Sequence, residues 1–362
     1  MREVLCLFGL PFDVITMDEV MQRIRTAVQT RQRLFLSTPN LNFLVACQTD
    51  ATFRQSVIDS DLSVADGFPL VWISRWLGAP LPERVAGSSL FERLRDAPLM
   101  PGDRPIRVYF FGGPPGAAEA AGRSLNSRPC GMVCVGFESP GFGSIEAISR
   151  QDILDHINAS DADFLVVALG ATKGQAWIQR NRAHLRTPVI SHLGAVVNFA
   201  AGTVRRAPGW VQRIGLEWLW RIKEEPGLWR RYWRDALALS GYLFSRLLPY
   251  RLWLLRHRPA GEADFEVRLR QDAEVCRILL KGAIPEPVPA QLQAALQQAC
   301  DAAGPVVLDL GRVEFFGPGF AGLLILFKNN LAANKQPLEI IPSSPRMQQL
   351  FFWNGLSDLL HP

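Results

Sequence analysis

The sequence is short of the residues that build metal clusters and disulfide scaffolds. Its six cysteines, Cys6, Cys47, Cys130, Cys134, Cys276 and Cys300, form no CxxC pair, and no His-rich segment stands beside them. A zinc finger or ribbon is therefore excluded, and thiols in a reducing cytoplasm are expected. Long hydrophobic runs are missing too. The most membrane-like stretch, residues 236–255, is interrupted by Arg246, Pro249 and Arg251. An arginine at mid-bilayer costs roughly 2.5 to 3.5 kcal/mol, so this stretch is expected to lie on a membrane and not to cross it. The opening residues carry Glu3 and Pro11 within their apolar run, which reads neither as a signal peptide nor as a span. Internal repeats and low-complexity tracts are absent as well. What is present is ordinary globular composition. With 362 residues, 48% apolar and 20% charged, disorder, collagen and a disulfide miniprotein are excluded, and two domains are expected.

Positive charge is concentrated in one place. The whole chain has a net charge of +5 and a pI near 9.0. Residues 204–258 alone carry +8 and hold six of the ten tryptophans, which leaves the remainder at −3. A solvated face seldom mixes Trp210, Trp218, Trp220, Trp229 and Trp233 among its arginines. The mixture suits a membrane interface, where rings sit at headgroup depth and guanidinium groups meet phosphate. Arginine can equally clamp a substrate diphosphate. Nucleic acid is the competing anionic partner, but the apolar fraction of the segment favours lipid, and no nucleic-acid partner is expected.

Short apolar runs alternate with helical patterns through the first two hundred residues, at 34–37, 62–65, 106–111, 132–135, 164–169 and 188–192. This alternation predicts a mostly parallel, Rossmann-like α/β sheet with helices on both faces. Ligands in such folds bind beyond the carboxyl ends of the strands. The residues that follow the runs are Thr38-Pro39-Asn40, Asp66-Gly67, Gly112-Gly113, Gly136, Gly170-Ala171 and Gly194-Ala195. Polar and glycine residues thus fall where a site belongs. From Ala207 the pattern becomes a helical, basic appendage, closing at a linker over residues 258–261. A second set then begins, with strands at 265–269, 275–280 and 306–310, the first two as an antiparallel pair, and a helix at 320–331.

Several residues offer chemistry, each with a plainer alternative. Gly112 and Gly113 end a strand ahead of a helix, where backbone N–H groups could meet a diphosphate. The segment is not GxGxxG, and a simple βα turn fits equally well. Asp66 stands just beyond a strand, where a carboxylate can act as general base on an acceptor hydroxyl; a turn or N-cap before a helix from Pro69 is the alternative. Thr38 and Asn40 offer either substrate hydrogen bonds or capping of a helix from Leu41.

Taken in order, Thr38-Pro39-Asn40, Ala65-Asp66-Gly67, residues 82–87 (PERVAG), Phe111-Gly112-Gly113, Gly170-Ala171-Thr172-Lys173, residues 201–208 (AGTVRRAP) and residues 216–221 (LEWLWR) resemble the WecG/TagA/CpsF glycosyltransferases, family 26. The resemblance covers about residues 3–235. It implies a metal-independent, inverting transferase of hexosyl or N-acetylmannosaminyl type, with no cofactor and with a UDP-sugar as donor substrate. Its acceptor would be a polyprenyl-diphosphate-linked glycan at the cytoplasmic face of the inner membrane, in exopolysaccharide or cell-surface polysaccharide synthesis. By the same resemblance Asp66 is the catalytic base and Thr38 an active-site threonine. Asn40, Gly112, Gly113, Lys173, Gln175, Arg205, Arg206, Arg221 and Arg231 contact substrate, the arginines stabilising the leaving diphosphate, and no metal ligand is implied. The chain departs from the family at Thr172, Gly174 and Gln175, where Pro, Gln and Glu are usual, at Asn198, where Asp is favoured, and at Leu228, often Arg. These departures bear on donor selectivity. They also raise a second expectation, a catalytically weakened membrane scaffold or regulator.

The last hundred residues resemble a STAS domain, of the anti-sigma-factor-antagonist type. Residues 306–316 (VVLDLGRVEFF) and the apolar helix after them carry the likeness. Where switch members of that type continue Asp-Ser-x-Gly, this chain reads Gly317-Pro318-Gly319-Phe320, without the acceptor serine. Protein docking or self-association is the expected role, with a fold-stabilising appendage as the alternative. The resulting division is 1–203 for the transferase core, 204–260 for the membrane-associating appendage and 261–362 for the STAS domain.

Overall fold

The computed structural model describes residues 1–99, 102–128, 130–141, 143–256, 265–272, 275–302, 304–341 and 344–360. The linker expected at 258–261 lies outside the described residues. The chain begins with β1 (Val4–Leu7) and β2 (Leu10–Asp13). Six strands follow: β3 (Leu34–Ser37), β4 (Leu62–Ser63), β5 (Ile106–Gly112), β6 (Met132–Glu138), β7 (Phe164–Ala168) and β8 (Val189–His192). The C-terminal part holds β9 (Glu266–Gln271), β10 (Cys276–Ala283), β11 (Val306–Phe315) and β12 (Leu338–Ile341). By packing, the chain forms two compact units. One comprises Ile15–Phe68 and Glu83–Ala236; the other comprises Met1–Val14, Pro69–Pro82 and Leu237–Pro362. All six cysteines remain thiols.

The first unit is built on a six-stranded sheet in the order β4-β3-β8-β7-β5-β6, with every pairing parallel. A parallel strand is covered on both faces and so reads as a continuous apolar run. β5 shows why. Val108 and Phe110 pack with Leu36, Val166 and Leu125, while Tyr109 and Phe111 pack with Ile153, Leu165 and Trp177. The Phe111 and Trp177 rings stack at 4.4 Å. From β3 the chain runs outward to β4 at one edge, and from β5 outward to β6 at the other, with β7 and β8 filling the middle. Connections therefore diverge from the centre, and all six carboxyl ends arrive on one side, where this fold class places ligands.

The expected runs and the observed strands differ at the edges for local reasons. β4 ends at Ser63 because Pro39, next along the neighbouring chain, has no N–H to complete the following bridge, although Val64 N–H still donates to the Ser37 carbonyl at 3.0 Å and Asp66 N–H to the Pro39 carbonyl at 2.9 Å. β6 continues to Glu138, since Phe137 and Glu138 keep their register with Phe110 and Phe111 of β5.

The second unit contains a four-stranded sheet in the order β12-β11-β10-β9, and β9 pairs antiparallel to β10 as expected. The helix Pro318–Ala333 is buried on nearly every side. A helix apolar all round must be enclosed, and part of its cover is the β1–β2 hairpin, which the sequence reading does not contain. Phe8 and Gly9 connect the strands with φ of 53° and 80°, the type I′ geometry of a two-residue hairpin loop. A phenylalanine seldom takes positive φ, so the turn is hidden in the sequence. The hairpin backbone crosses the helix at Gly322, where a Cβ would lie 2.9 Å from Leu5 C and 3.0 Å from Cys6 N.

At the amino end of this helix, where the STAS pattern would carry its serine, Gly319 N–H donates to the Glu286 carboxylate at 2.8 Å. Burial pushes the Glu286 carboxyl up to about 7, against the lowering effect of the Gly319 and Phe320 amides. The helix Leu248–Arg256 is tied to the same unit by aromatic contacts. Tyr250 is buried 5.6 Å from the Trp353 ring, and Trp253 stacks on Phe315 at 5.5 Å. Arg346 lies 4.8 Å over Trp253. One of the six tryptophans of the basic segment therefore serves packing.

Replacing Gly322 with alanine forces the hairpin off the helix, because the atoms it meets are backbone and cannot rotate aside. The expected loss is about 1–3 kcal/mol of unfolding free energy, measured by denaturant titration of the full chain. An unchanged midpoint would show that the hairpin does not bear on this helix.

Candidate active site

The carboxyl edge of the sheet gathers Thr38 after β3, Asp66 after β4, Gly112-Gly113 after β5, Gly170 after β7 and Gly194 after β8. Asp66 is half-buried there. Its carboxylate accepts a 3.4 Å hydrogen bond from Gly87 N–H, the first residue of the helix Gly87–Asp96, whose N-cap Ala86 supplies no side-chain cap. The orphan amides of that helix thus face a carboxylate. A Cβ on Gly87 would lie 3.4 Å from Thr38 Oγ1 and 2.5 Å from Leu193 Cδ2. Thr38, Asp66 and the end of β8 therefore converge on one backbone position.

Around Asp66 the charges alternate. Arg84 pairs with Glu217 at 3.2 Å, both largely sheltered, and its guanidinium lies 4.8 Å over the Phe68 ring. Arg206 approaches Glu217 at 3.9 Å, donates to Ser89 Oγ at 2.6 Å and pairs with Glu92. Burial pushes the Arg206 guanidinium down while Glu217 opposes that. For Asp66, burial is the largest influence and pushes its carboxyl up to about 6. Arg84 lowers it, Glu217 raises it, and the Gly87 amide and then Arg221 lower it. A carboxylate tuned near neutrality can take a proton from a hydroxyl and still be ionised at working pH.

The remaining expected residues fall at different depths. Asn40 is the N-cap of Leu41–Cys47, accepting from Phe43 N–H at 3.2 Å, so the capping alternative holds for it. Gly112 has φ of 101°, and a Cβ on it would strike the Ala168 carbonyl oxygen at 2.6 Å. Gly113 N–H donates to that same carbonyl at 2.7 Å, so the pair serves close packing of β5 on β7. Lys173 donates from Nζ to the Gly143 carbonyl. Gln175 is fully buried and donates to Ser37 Oγ at 2.7 Å, beneath the end of β3. Arg205 is exposed, and its carbonyl accepts from Trp220 Nε1 at 3.0 Å. Arg221 pairs with Glu225 at 3.3 Å. Arg231 lies 5.1 Å over the Tyr232 ring, on a helix held by Asn42 Nδ2 donating to the buried Asp235 at 3.2 Å. The Nε atoms of Arg206, Arg221 and Arg231 are buried and have no hydrogen-bond partner among the described residues. Of the departures, Thr172 is exposed, while Asn198 and Leu228 are half-buried.

Arg84 and Glu217 were not among the expected site residues, although both stand in the ordered segments 82–87 and 216–221. Their pairing spans 133 positions, and nothing in either segment announces the other.

The geometry is that of an α/β enzyme with a tuned carboxylate facing cationic groups at the carboxyl edge of a parallel sheet. Residues 5–252 match the Glycosyl transferase WecG/TagA/CpsF family, and residues 267–361 match the Mlab, STAS domain family. The chain belongs to the WecG/TagA/CpsF glycosyltransferase family. A relative from Bacillus spizizenii, an N-acetylglucosaminyldiphosphoundecaprenol N-acetyl-beta-D-mannosaminyltransferase, is 28% identical over 207 residues, covering 57% of this chain and 77% of its own. A protein of the same description from Staphylococcus aureus strain MW2 is 25% identical over 231 residues, covering 63% and 86%.

The influences on Asp66 predict opposite effects from the two partners of one ion pair. Arg84→Gln removes the main lowering charge, so the acid limb of the pH–rate profile moves above its position near pH 6. Glu217→Gln removes a raising charge and moves the limb below it. A general base acts in its ionised form, so with Asp66 in that role activity is expected to fall as pH drops through the limb in every case. A pH series of kcat/KM checks both signs, and shifts in the same direction would separate this pair from Asp66.

Proposed function

We propose that the protein transfers a sugar from a UDP-sugar to a polyprenyl-diphosphate-linked glycan, with inversion and without a metal. The observation that carries this reading is the Asp66 carboxyl, raised to about 6 by burial and set among Arg84, Arg206 and Arg221. Asp66 takes the proton from the acceptor hydroxyl as its oxygen attacks the anomeric carbon. The bond from that carbon to the UDP β-phosphate breaks on the opposite side, and UDP leaves. Arginine stabilises the charge that develops on the diphosphate, which suits the buried Nε atoms of Arg221 and Arg231, neither of which has a hydrogen-bond partner among the described residues. Thr38, converging with Asp66 on Gly87, orients the acceptor hydroxyl. The relatives' description supports an N-acetylglucosaminyl-diphosphate lipid as acceptor and an N-acetylmannosaminyl group as the sugar moved.

A lipid-linked acceptor requires approach to a membrane surface. Among the described residues no helix is long and apolar enough to cross one. Trp229 and Trp233, four apart on the helix Trp229–Tyr242, are 52% and 62% exposed, and Trp210 is 61% exposed. With the exposed Arg230 and Arg234 they supply the aromatic and cationic side chains that an interfacial contact needs. We place the protein as a peripheral enzyme on the cytoplasmic face, where UDP-sugars are available.

Asp66→Asn is expected to lower transfer by about 10²- to 10⁴-fold while UDP affinity is retained. Product formation with a panel of UDP-sugars and a short-chain polyprenyl-diphosphate acceptor measures it, and unchanged turnover would remove Asp66 as the base. The membrane reading has a separate measurement. Trp229→Glu with Trp233→Glu should abolish co-flotation with anionic liposomes; equal flotation of variant and wild type would move the membrane contact elsewhere.

A further inference from the structure

His192 ends β8 and is 9% exposed. Its Nε2 is buried and has no hydrogen-bond partner among the described residues. Two glycines flank the ring. A Cβ on Gly174 would lie 2.3 Å from His192 Cδ2 and 3.1 Å from Nε2, and a Cβ on Gly194 would lie 3.3 Å from Nε2. On a third side the ring lies 6.1 Å from Phe43. Gly174 is where the family resemblance has a longer amide side chain, and no side chain fits there while the imidazole holds its place. Leu193, the next residue, touches the Gly87 position that brings Thr38 and Asp66 together. His192 therefore stands at the same carboxyl edge as the carboxylate, one residue from its support.

A buried nitrogen without a partner is unfavourable unless something satisfies it during the functional cycle. Burial holds the imidazole down to about 4, so it is neutral at working pH. A neutral imidazole offers one donor and one acceptor and carries no charge for a phosphate. That chemistry matches a sugar hydroxyl or acylamino group. We infer that His192, seated in the space left by Gly174, hydrogen-bonds a polar substituent of the donor sugar and so sets donor selectivity in this chain. The inference rests on the transferase reading for the identity of its ligand, and it makes His192 a specificity residue, with the base remaining Asp66.

Calorimetric titration of the full chain with UDP, UDP-glucose, UDP-N-acetylglucosamine and UDP-N-acetylmannosamine tests it. Wild type should bind at least one UDP-sugar more tightly than UDP. His192→Ala should lose that preference by about ten- to a hundredfold with UDP affinity unchanged, and His192→Gln should recover part of it. Retention of the preference in His192→Ala, an equal loss of UDP binding, or no preference in wild type would each overturn the inference. A preference that depends on His192 in a protein that transfers none of these sugars would leave the inference standing and sink the transferase reading. Folding is followed by thermal melting. Gly174→Gln alone should lower Tm, and His192→Gly should restore it in the double variant. Equal tolerance of Gly174→Gln with and without His192 would refute the packing on which the argument stands.

Discussion

The arrangement depends on a carboxylate kept partly out of water beside arginines. Removing Asp66 from solvent favours its neutral form, and the Arg84 and Arg221 charges with the Gly87 amide return it toward the ionised form. The balance leaves a carboxyl near neutrality. Each contribution comes from a different segment: the turn after β4, residues 82–87, the start of the helix Gly87–Asp96 and the helix Glu217–Glu224. The sheet makes this possible, because parallel pairing delivers every strand end to one side. Glu217 has a double role, since it screens Arg84 and Arg206 from each other while also raising Asp66.

The tryptophans of the basic segment fall into an exposed group and an enclosed one. Trp210, Trp229 and Trp233 stay exposed among arginines, whereas Trp253 and Tyr250 are enclosed by Phe315 and Trp353. Charge density alone does not separate these, because Arg246 and Arg346 sit against aromatic rings as well. Burial separates them. In the C-terminal unit a carboxylate also occupies a helix start: Glu286 meets the amides of Gly319 and Phe320, where the STAS pattern would place a phosphorylatable serine. An anion at that point suits the helix dipole whether a side chain or a phosphate supplies it.

Much of the core was legible because buried parallel strands leave long apolar runs and the site lies just after them. Asp66 and Thr38 were candidates by that position, with capping or a turn as the alternative, and the family resemblance supplied their expected roles. Asn40 stood out equally, yet its side chain caps a helix, because capping and substrate contact call for the same residue at the same place. Gly112 and Gly113 fitted a diphosphate contact and a plain βα turn equally, and the structure adds that they admit the Ala168 carbonyl at close range. The β1–β2 hairpin went unread because its turn places a phenylalanine at positive φ.

The amino-acid sequence by itself determined the class of fold, the family motifs, the local excess of positive charge and the absence of a serine at the STAS helix start. These follow from residue identity and short spacing, which a linear chain displays directly. Only the tertiary structure decided that Arg84 and Glu217 pair across 133 positions, that Gln175 faces inward to Ser37 and that Gly174 makes room for His192. Ion pairing, burial and steric exclusion act through space, so partners far apart in the chain carry no mark of one another until the sheet brings them together.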